Sequence, residues 1–209
     1  MKKLFMAVMA ISLLATACKG KAKKESSTES PADLKEATEK VKDAVDESNS
    51  KMEARRAKGD TLALPYKDLE AYLPEIGGYT KDGEPKGSQM NMPGMGSWSQ
   101  AEQNYKNGDK TIKLQLVDYN AAFQALAGVT AVYKMGFSQE DDQRKQGAAD
   151  LGIKDVSAYE SVYKKDQRAE LAVIAGDRFF IQLNSEGSND IKLLYDAAKG
   201  MKLSELAAK

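Results

Sequence analysis

Three methionines within one short segment, Met90, Met92 and Met95, are the side chains of this sequence with the most distinctive chemistry. Their thioether sulfurs are soft ligands, and soft ligands select Cu(I) or Ag(I) over harder cations. Methionine also fills irregular gaps in apolar cores, because its side chain is flexible. The segment therefore has two interpretations, a site for a soft metal ion or packing where an edge segment enters a sheet, and we favour packing.

The spacing of these methionines, M-x-M-x-x-M, resembles the methionine motifs of periplasmic copper-handling proteins. The resemblance implies that Met90, Met92 and Met95 would together ligate a Cu(I) or Ag(I) ion. Such proteins usually present further methionines or histidines, and this sequence contains no histidine. We therefore expect no cofactor and keep metal handling by this segment as the alternative function.

The absence of histidine also removes the commonest catalytic arrangements. Ser-His-Asp and Cys-His nucleophiles both depend on an imidazole base. The carboxylates at residues 140–142 follow Ser138, which is predicted to start a polar helix. The helix dipole stabilises carboxylates at that end, so their presence requires no catalytic role. We expect no catalytic residues, and hence a protein that is not an enzyme.

Trp98 is the only tryptophan, and it falls in the first strand of a predicted hairpin. The expected register places it opposite Val117, on the solvent-side face. A single aromatic side chain there would either anchor a ligand or partner or be covered by residues 61–96. We favour coverage and retain Trp98 as a weak candidate for contact.

Cys18 is the only cysteine, and it directly follows a segment with the pattern of an export signal. Lys2 and Lys3 precede an apolar run over residues 4–14, and small residues come next, which is the order of a secretory signal. That run has about eleven residues, whereas a helix needs roughly twenty to cross a bilayer. Residues 1–17 are therefore predicted to be a signal peptide.

The segment from Leu14 to Cys18 resembles the lipobox of bacterial lipoproteins, with Ala15 where a large aliphatic residue is usual. The resemblance implies cleavage before Cys18, lipidation of its sulfur and acylation of its new amine, so that the lipid holds the protein in a membrane. The other interpretation is an ordinary secretory signal whose product keeps a free cysteine. We favour the lipoprotein, because the single cysteine stands at this one position.

The residues after Cys18 bear on where such a lipoprotein would reside. In enteric lipoproteins, aspartate directly after the cysteine favours inner-membrane retention, and Lys19 stands there instead. The resemblance therefore implies the outer membrane. The basic segment 19–24 differs from the acidic clusters of some surface-exposed lipoproteins, which favours a domain that faces the periplasm.

Residues 18–60 are predicted to form the lipidated cysteine, a charged linker and an amphipathic tether helix, and residues 61–209 a single, monomeric domain. Ser30 is the expected N-cap of the helix, and Pro31 its first residue. The apolar stripe of this helix is narrow. We favour a spacer that lifts the domain off the membrane over a helix that pairs with a partner helix.

The predicted domain is slightly acidic, with 18 basic and 21 acidic residues from residue 61 onward. Nucleic-acid binding requires a basic stripe or patch that attracts phosphates, and the sequence has none in this part. We therefore expect no nucleic-acid partner. The identity of a protein or small-molecule partner stays open.

Asn107 and Gly108 are predicted to form the turn of a first hairpin, because Asn-Gly between alternating segments favours a two-residue type I′ turn. This turn would place Ala101 opposite Leu114. Alternate side chains of the second strand would then face the core: Ile112, Leu114 and Leu116.

Gly176 and Asp177 are predicted to form the turn of a second hairpin. A two-residue turn would put Ile174 and Phe179 on one face and leave both faces near the turn apolar. This hairpin should therefore lie in the centre of the sheet, covered on both sides. A C-terminal helix capped by Ser188 is expected to follow.

Asn120 is expected to cap a helix that follows the first hairpin. The order of hairpin and then helix thus occurs twice, which predicts an α+β fold. We expect an antiparallel sheet of about five strands with helices packed on its faces, after the signal peptide and the helical tether. Together with the missing catalytic residues, this favours a membrane-anchored envelope lipoprotein with a non-catalytic binding or accessory role.

Overall fold

The computed structural model describes residues 31–92, 96–120 and 136–209. These residues form an α+β fold built on one large antiparallel sheet, which confirms the predicted class. The sheet has nine strands, whereas the sequence predicts about five. The predicted signal peptide, Cys18, Met95 and the helix predicted after Asn120 lie outside the described residues.

The strands of the sheet are β1 Thr80–Lys81, β2 Lys86–Met92, β3 Gly96–Asn107, β4 Lys110–Asp118, β5 Ser138–Glu140, β6 Arg144–Ala149, β7 Val156–Tyr163, β8 Arg168–Ala175 and β9 Phe179–Glu186. The helices in the described part are α1 Pro31–Ala57, α2 Tyr66–Glu70, α3 Ile191–Lys199 and α4 Leu203–Ala207. Neighbouring strands follow the order β1-β3-β4-β9-β8-β7-β6-β5, and β2 also pairs with β3. All of these pairs are antiparallel.

One polar segment that is predicted to be a helix forms strands of the sheet instead. The polar helix expected at Ser138 is wrong, because residues 138–149 form the β5–β6 hairpin. Asp141 turns the chain there, since its Oδ1 accepts hydrogen bonds from the backbone N–H of Gln143 at 2.8 Å and of Arg144 at 2.7 Å. An aspartate that accepts from its own backbone two residues on stabilises a turn in place of a helix.

The β3–β4 hairpin has the predicted faces and a different register. Its turn consists of Gly108 and Asp109, and Gly108 has a φ of +58°. A positive φ at the first central position is typical of a type II′ turn, which favours glycine there. Ala101 consequently lies opposite Leu116 instead of Leu114. The shift preserves the predicted buried side chains, which are Ile112, Leu114 and Leu116.

The β8–β9 hairpin lies in the centre of the sheet as expected, but the predicted faces are wrong. Ala175 pairs with Phe179, so that the loop has one residue more than the predicted turn. Gly176 and Asp177 in this loop both have a left-handed φ, +61° and +54°. A shift of one residue turns side chains over, and Ile174 therefore lies on the face opposite to Phe179. Both side chains are buried.

Helices α3 and α4 cover one face of the sheet. Asp190 caps α3 by accepting a hydrogen bond of 3.1 Å from the backbone N–H of Lys192, so the predicted cap at Ser188 is wrong. The core between these helices and the strands consists of large apolar side chains, among them Leu114, Leu171, Phe179, Leu183, Leu194 and Leu206. Burying such side chains is the main driving force for folding.

The segment around α2 extends the same core. Leu69 of α2 is fully buried, and Pro65 precedes the helix at its N-cap. The carbonyl oxygen of Pro74 accepts a hydrogen bond of 2.7 Å from the hydroxyl of Tyr105 in β3. Burial raises the pKa of this hydroxyl, which therefore stays a neutral donor.

The last part of α1 packs against the opposite face of the sheet. Met52 is buried there in a small apolar cluster with Val45, Tyr119 and Phe180. Lys51 also forms an ion pair of 2.9 Å with Asp177 in the β8–β9 loop. The predicted tether helix thus contacts the sheet near its C-terminal end, while the domain boundary at residue 61 stays a prediction.

We expect Leu114→Asp to unfold the protein, because an unpaired buried charge costs several kcal/mol against a total stability of about 5 to 15. Leu114 is fully buried, whereas the neighbouring Lys113 is exposed. Lys113→Asp, the matched control, should change the free energy of unfolding by no more than about 1 kcal/mol. Urea unfolding followed by circular dichroism measures both, and equal effects of the two substitutions would contradict the burial of this strand face.

Candidate functional site

Met90 and Met92 lie in β2 at an edge of the sheet, and Trp98 lies in the neighbouring strand β3. Met90 pairs with Trp98 across β2 and β3, and side chains of such a pair share a face. Met90 is 46 % exposed. The predicted position of Trp98 opposite Val117 is wrong, because Gln100 pairs with that residue. Since Met95 lies outside the described residues, the convergence of three sulfurs stays a prediction.

The acidic run at residues 140–142 is paired with lysines from the β7–β8 turn. The Nζ of Lys164 is 2.8 Å from Glu140, and that of Lys165 is 3.3 Å from Asp142. The hydrogen bond from Lys164 is the main reason why the pKa of Glu140 is lowered. Within the described ranges, no group of three or more His, Cys, Asp or Glu side chains is placed to hold a metal ion.

A cavity of about 450 Å³ lies on the sheet face opposite α3 and α4, and we call it the polar groove. Strands β3, β4, β9 and β8 supply most of its lining, which includes Asn104, Lys113, Arg168, Glu170, Asn184 and Glu186. Tyr105 and Ile112 also border it, but their side chains are buried in the core on the other face. The groove therefore presents amides and charged groups to its interior.

Strand register places four of these side chains in one row across the sheet. Asn104 of β3 pairs with Lys113 of β4, and Lys113 pairs with Asn184 of β9. Asn184 in turn pairs with Glu170 of β8. Adjacent strands are about 4.8 Å apart, so the row is about 14 Å long. The sheet thus fixes the spacing of these groups through backbone hydrogen bonds.

Two charged groups at one end of the polar groove are neutralised by nearby side chains. The Nζ of Lys113 is 2.9 Å from the Oε2 of Glu102. The Oδ1 of Asp82 is 3.0 Å from the Nζ of Lys106. These pairs are partly exposed, so each adds little to stability. Their effect on the groove is to cancel its local charge.

Arg168 occupies the other end of the polar groove. Its Nε lies 3.6 Å from the Oε1 of Glu170, and its guanidinium carbon lies 3.9 Å from the centre of the Tyr163 ring. A guanidinium over an aromatic face gains a cation–π attraction. The ring therefore holds the guanidinium in place, while the Nε of Arg168 makes no hydrogen bond within the described part of the chain.

Asn104 and Asn184 keep unused hydrogen-bonding capacity in the row. Among the described residues, the side-chain amide of Asn104 makes no hydrogen bond. Asn184 accepts a long hydrogen bond of 3.4 Å from the Nε2 of Gln182. A primary amide offers two donors and an acceptor with two lone pairs. The polar groove therefore combines neutral donors and acceptors with charged groups, of which Lys113 and Asp82 form short ion pairs.

A second polar cluster, around Arg178, is buried where β4 ends beside the β8–β9 loop and the residues that follow α1. The Nε and Nη2 atoms of Arg178 donate to both carboxylate oxygens of Asp118, at 2.9 Å and 2.8 Å. Its Nη1 donates to Asp60 at 2.8 Å. Asp118 also accepts from the backbone N–H groups of Leu64 at 2.8 Å and Asn120 at 3.0 Å. These groups are satisfied within the protein, which gives the cluster a structural role.

The charges of this cluster shift the pKa values of two arginines in opposite directions. Burial disfavours the charged form of Arg178, but the hydrogen bonds and charges of Asp118 and Asp60 outweigh it and raise its pKa. Burial lowers the pKa of Arg55, and the nearby charge of Arg178 adds to this effect. The Nε of Arg55 is 3.9 Å from Asp60, so the two arginines share one carboxylate.

Neither the polar groove nor the Arg178 cluster is predicted from the sequence. The row in the groove joins Asn104 to Glu170 and Asn184, which are far apart in the chain. Each occupies an outward position of a strand, and such positions are typical of ordinary solvent-facing residues. The uncharged asparagines at these outward positions are the signal that would have pointed to the groove.

No helix in the described part of the chain is both long and apolar enough to cross a membrane. No protein-family model matches the sequence, and no curated protein matches it either.

Proposed function

We propose that this protein is a membrane-anchored envelope lipoprotein with a non-catalytic role, which binds a hydrophilic ligand in the polar groove. The observation that carries the binding role is the row of amide and charged side chains on a part of the sheet that none of the described helices covers. A groove of about 450 Å³ falls in the size range of ligand sites. Its polar lining favours a ligand that forms hydrogen bonds.

The anchor in this proposal is a lipid on Cys18. Its support is the export signal that ends at the only cysteine of the chain. Helix α1 has 27 residues and is about 40 Å long at 1.5 Å per residue. Because the end of α1 packs on the sheet through Met52, the helix would fix the domain at a distance from the lipid. The proposed location is the outer membrane, with the domain in the periplasm.

We expect the expressed protein to incorporate labelled palmitate and to sediment with membranes, and Cys18→Ser to abolish both, because no other residue of the chain is a thiol. Lys19→Ser is the matched control and should keep the label. Metabolic labelling and membrane fractionation measure the outcome. Equal labelling of Cys18→Ser and of the unaltered protein would contradict the anchor.

The second candidate function is handling of Cu(I) or Ag(I) by Met90, Met92 and Met95. The observation that favours it is the pairing of Met90 with Trp98 on one face of the sheet edge. Thioethers bind soft monovalent ions, and an indole ring next to the bound cation adds a cation–π attraction. The exposure of Met90 leaves its sulfur accessible.

If this second function is correct, micromolar Ag(I) should quench the fluorescence of Trp98, the only tryptophan in the chain. Met90→Leu should remove most of the quenching, because it removes the sulfur paired with the ring. Met201→Leu is the control, since Met201 is fully buried in the core. Unchanged fluorescence of the unaltered protein, or equal quenching in Met90→Leu, would reject the metal site.

A further inference from the structure

We infer that the polar groove binds a neutral oligosaccharide that carries acetamido groups. This inference rests on the proposed binding role and adds the chemical class of the ligand. Four features of the groove support it: its charges, its polar surface, its free amides and its length.

The charge pattern of the polar groove favours a ligand without net charge. Lys113 is paired with Glu102, and Arg168 lies beside Glu170. A phosphate or a carboxylate ligand would have to compete with Glu102 for Lys113, and it would meet the carboxylates of Glu170 and Glu186 in the same groove. A neutral ligand leaves both pairs intact and does not pay for the desolvation of an extra charge.

The lining of the groove does not suit an apolar ligand. The two hydrophobic residues at its border, Tyr105 and Ile112, are 1 % and 0 % exposed and direct their side chains into the core. Polar atoms make up more of the groove surface than apolar atoms, so a lipid chain would gain little by replacing water there. A peptide would find no pocket for an apolar anchor residue, and anchors of that kind carry most of the energy in peptide and protein recognition.

The unused amides define what the ligand must offer. Asn104 and Asn184 each present donors and acceptors whose hydrogen bonds inside the described part are absent or long. Hydroxyl groups match such amides, since a hydroxyl both donates and accepts. An acetamido group matches them further, because its carbonyl oxygen can accept from one side-chain amide while its N–H donates to the oxygen of another. A chain of sugar rings that bears both groups satisfies this lining.

The dimensions favour several linked rings over a single sugar. The row from Asn104 to Glu170 crosses four strands and is about 14 Å long. A single ring would contact only part of this row. A linear oligosaccharide that lies across the strands would reach Asn104 and Asn184 together.

The test uses the full chain in detergent micelles and isothermal titration calorimetry with N-acetylchitotetraose, a neutral tetrasaccharide with four acetamido groups. We expect saturable binding that Asn104→Ala and Asn184→Ala each weaken about tenfold, the effect of losing a buried hydrogen bond. Gln146→Ala is the control, since Gln146 is on β6 and does not line the groove. It should bind within about twofold of the unaltered protein.

Three outcomes would overturn the inference: no saturable heat with N-acetylchitotetraose at millimolar concentration, equal weakening in Gln146→Ala, or tighter binding of an oligogalacturonate of the same length, which carries carboxylates. Circular dichroism of each variant separates loss of binding from loss of fold. Failure of the titration while Cys18 is still lipidated rejects the ligand and leaves the anchor. Loss of palmitate labelling with intact oligosaccharide binding rejects the anchor and leaves the ligand.

Discussion

The ion pair between Arg178 and Asp118 is the interaction on which the arrangement of the other elements depends. Both side chains are nearly inaccessible to water, 3 % and 0 % exposed, and they meet through two hydrogen bonds. Arg178 belongs to the β8–β9 loop, while Asp118 ends β4. The same two residues hold Asp60 and the backbone of Leu64. One buried pair thus joins the centre of the sheet to the segment that enters it from α1.

This pair also helps to fix which side chains of the central strands face the core and which face the polar groove. By fixing the end of β4 beside the β8–β9 loop, it supports the central β4–β9 pairing, in which Leu114 lies opposite Leu183. The core side chains of these strands then face α3 and α4, and the alternate side chains face the polar groove. The residues of the groove therefore owe their spacing to strands that are fixed from the other side.

The elements that depend on local sequence patterns could be predicted from the sequence. Alternation of apolar residues identified Ile112, Leu114 and Leu116 as buried, because a strand turns successive side chains to opposite faces. It failed where one loop residue decides the register, as at Gly176 and Asp177, whose left-handed backbone is visible only in the structure. The helix predicted from Ser138 does not form. A short polar side chain can accept from nearby backbone N–H groups in a turn as well as at a helix start, and Asp141 does so in a turn.

The groove and the buried pair escaped prediction for a different reason. Arg178 and Asp118 are 60 residues apart in the chain, and neither has a local pattern that points to the other. The same holds for Asn104 and Asn184, which share a row only through two intervening strand pairings. Long-range registers of this kind follow from the complete sheet, and an error of one residue in any strand removes them.

The free energy of unfolding of Arg178→Met, compared with Arg144→Met, tests this account most directly. Arg144 lies 5.9 Å from the Tyr163 ring and is partly exposed, so it serves as an arginine outside the buried cluster. We predict that Arg178→Met loses about 3 to 5 kcal/mol in urea unfolding, because it leaves the charge of Asp118 buried without a partner. Arg144→Met should lose no more than about 1 kcal/mol. A loss below about 1 kcal/mol for Arg178→Met would contradict the dependence of the fold on the ion pair between Arg178 and Asp118.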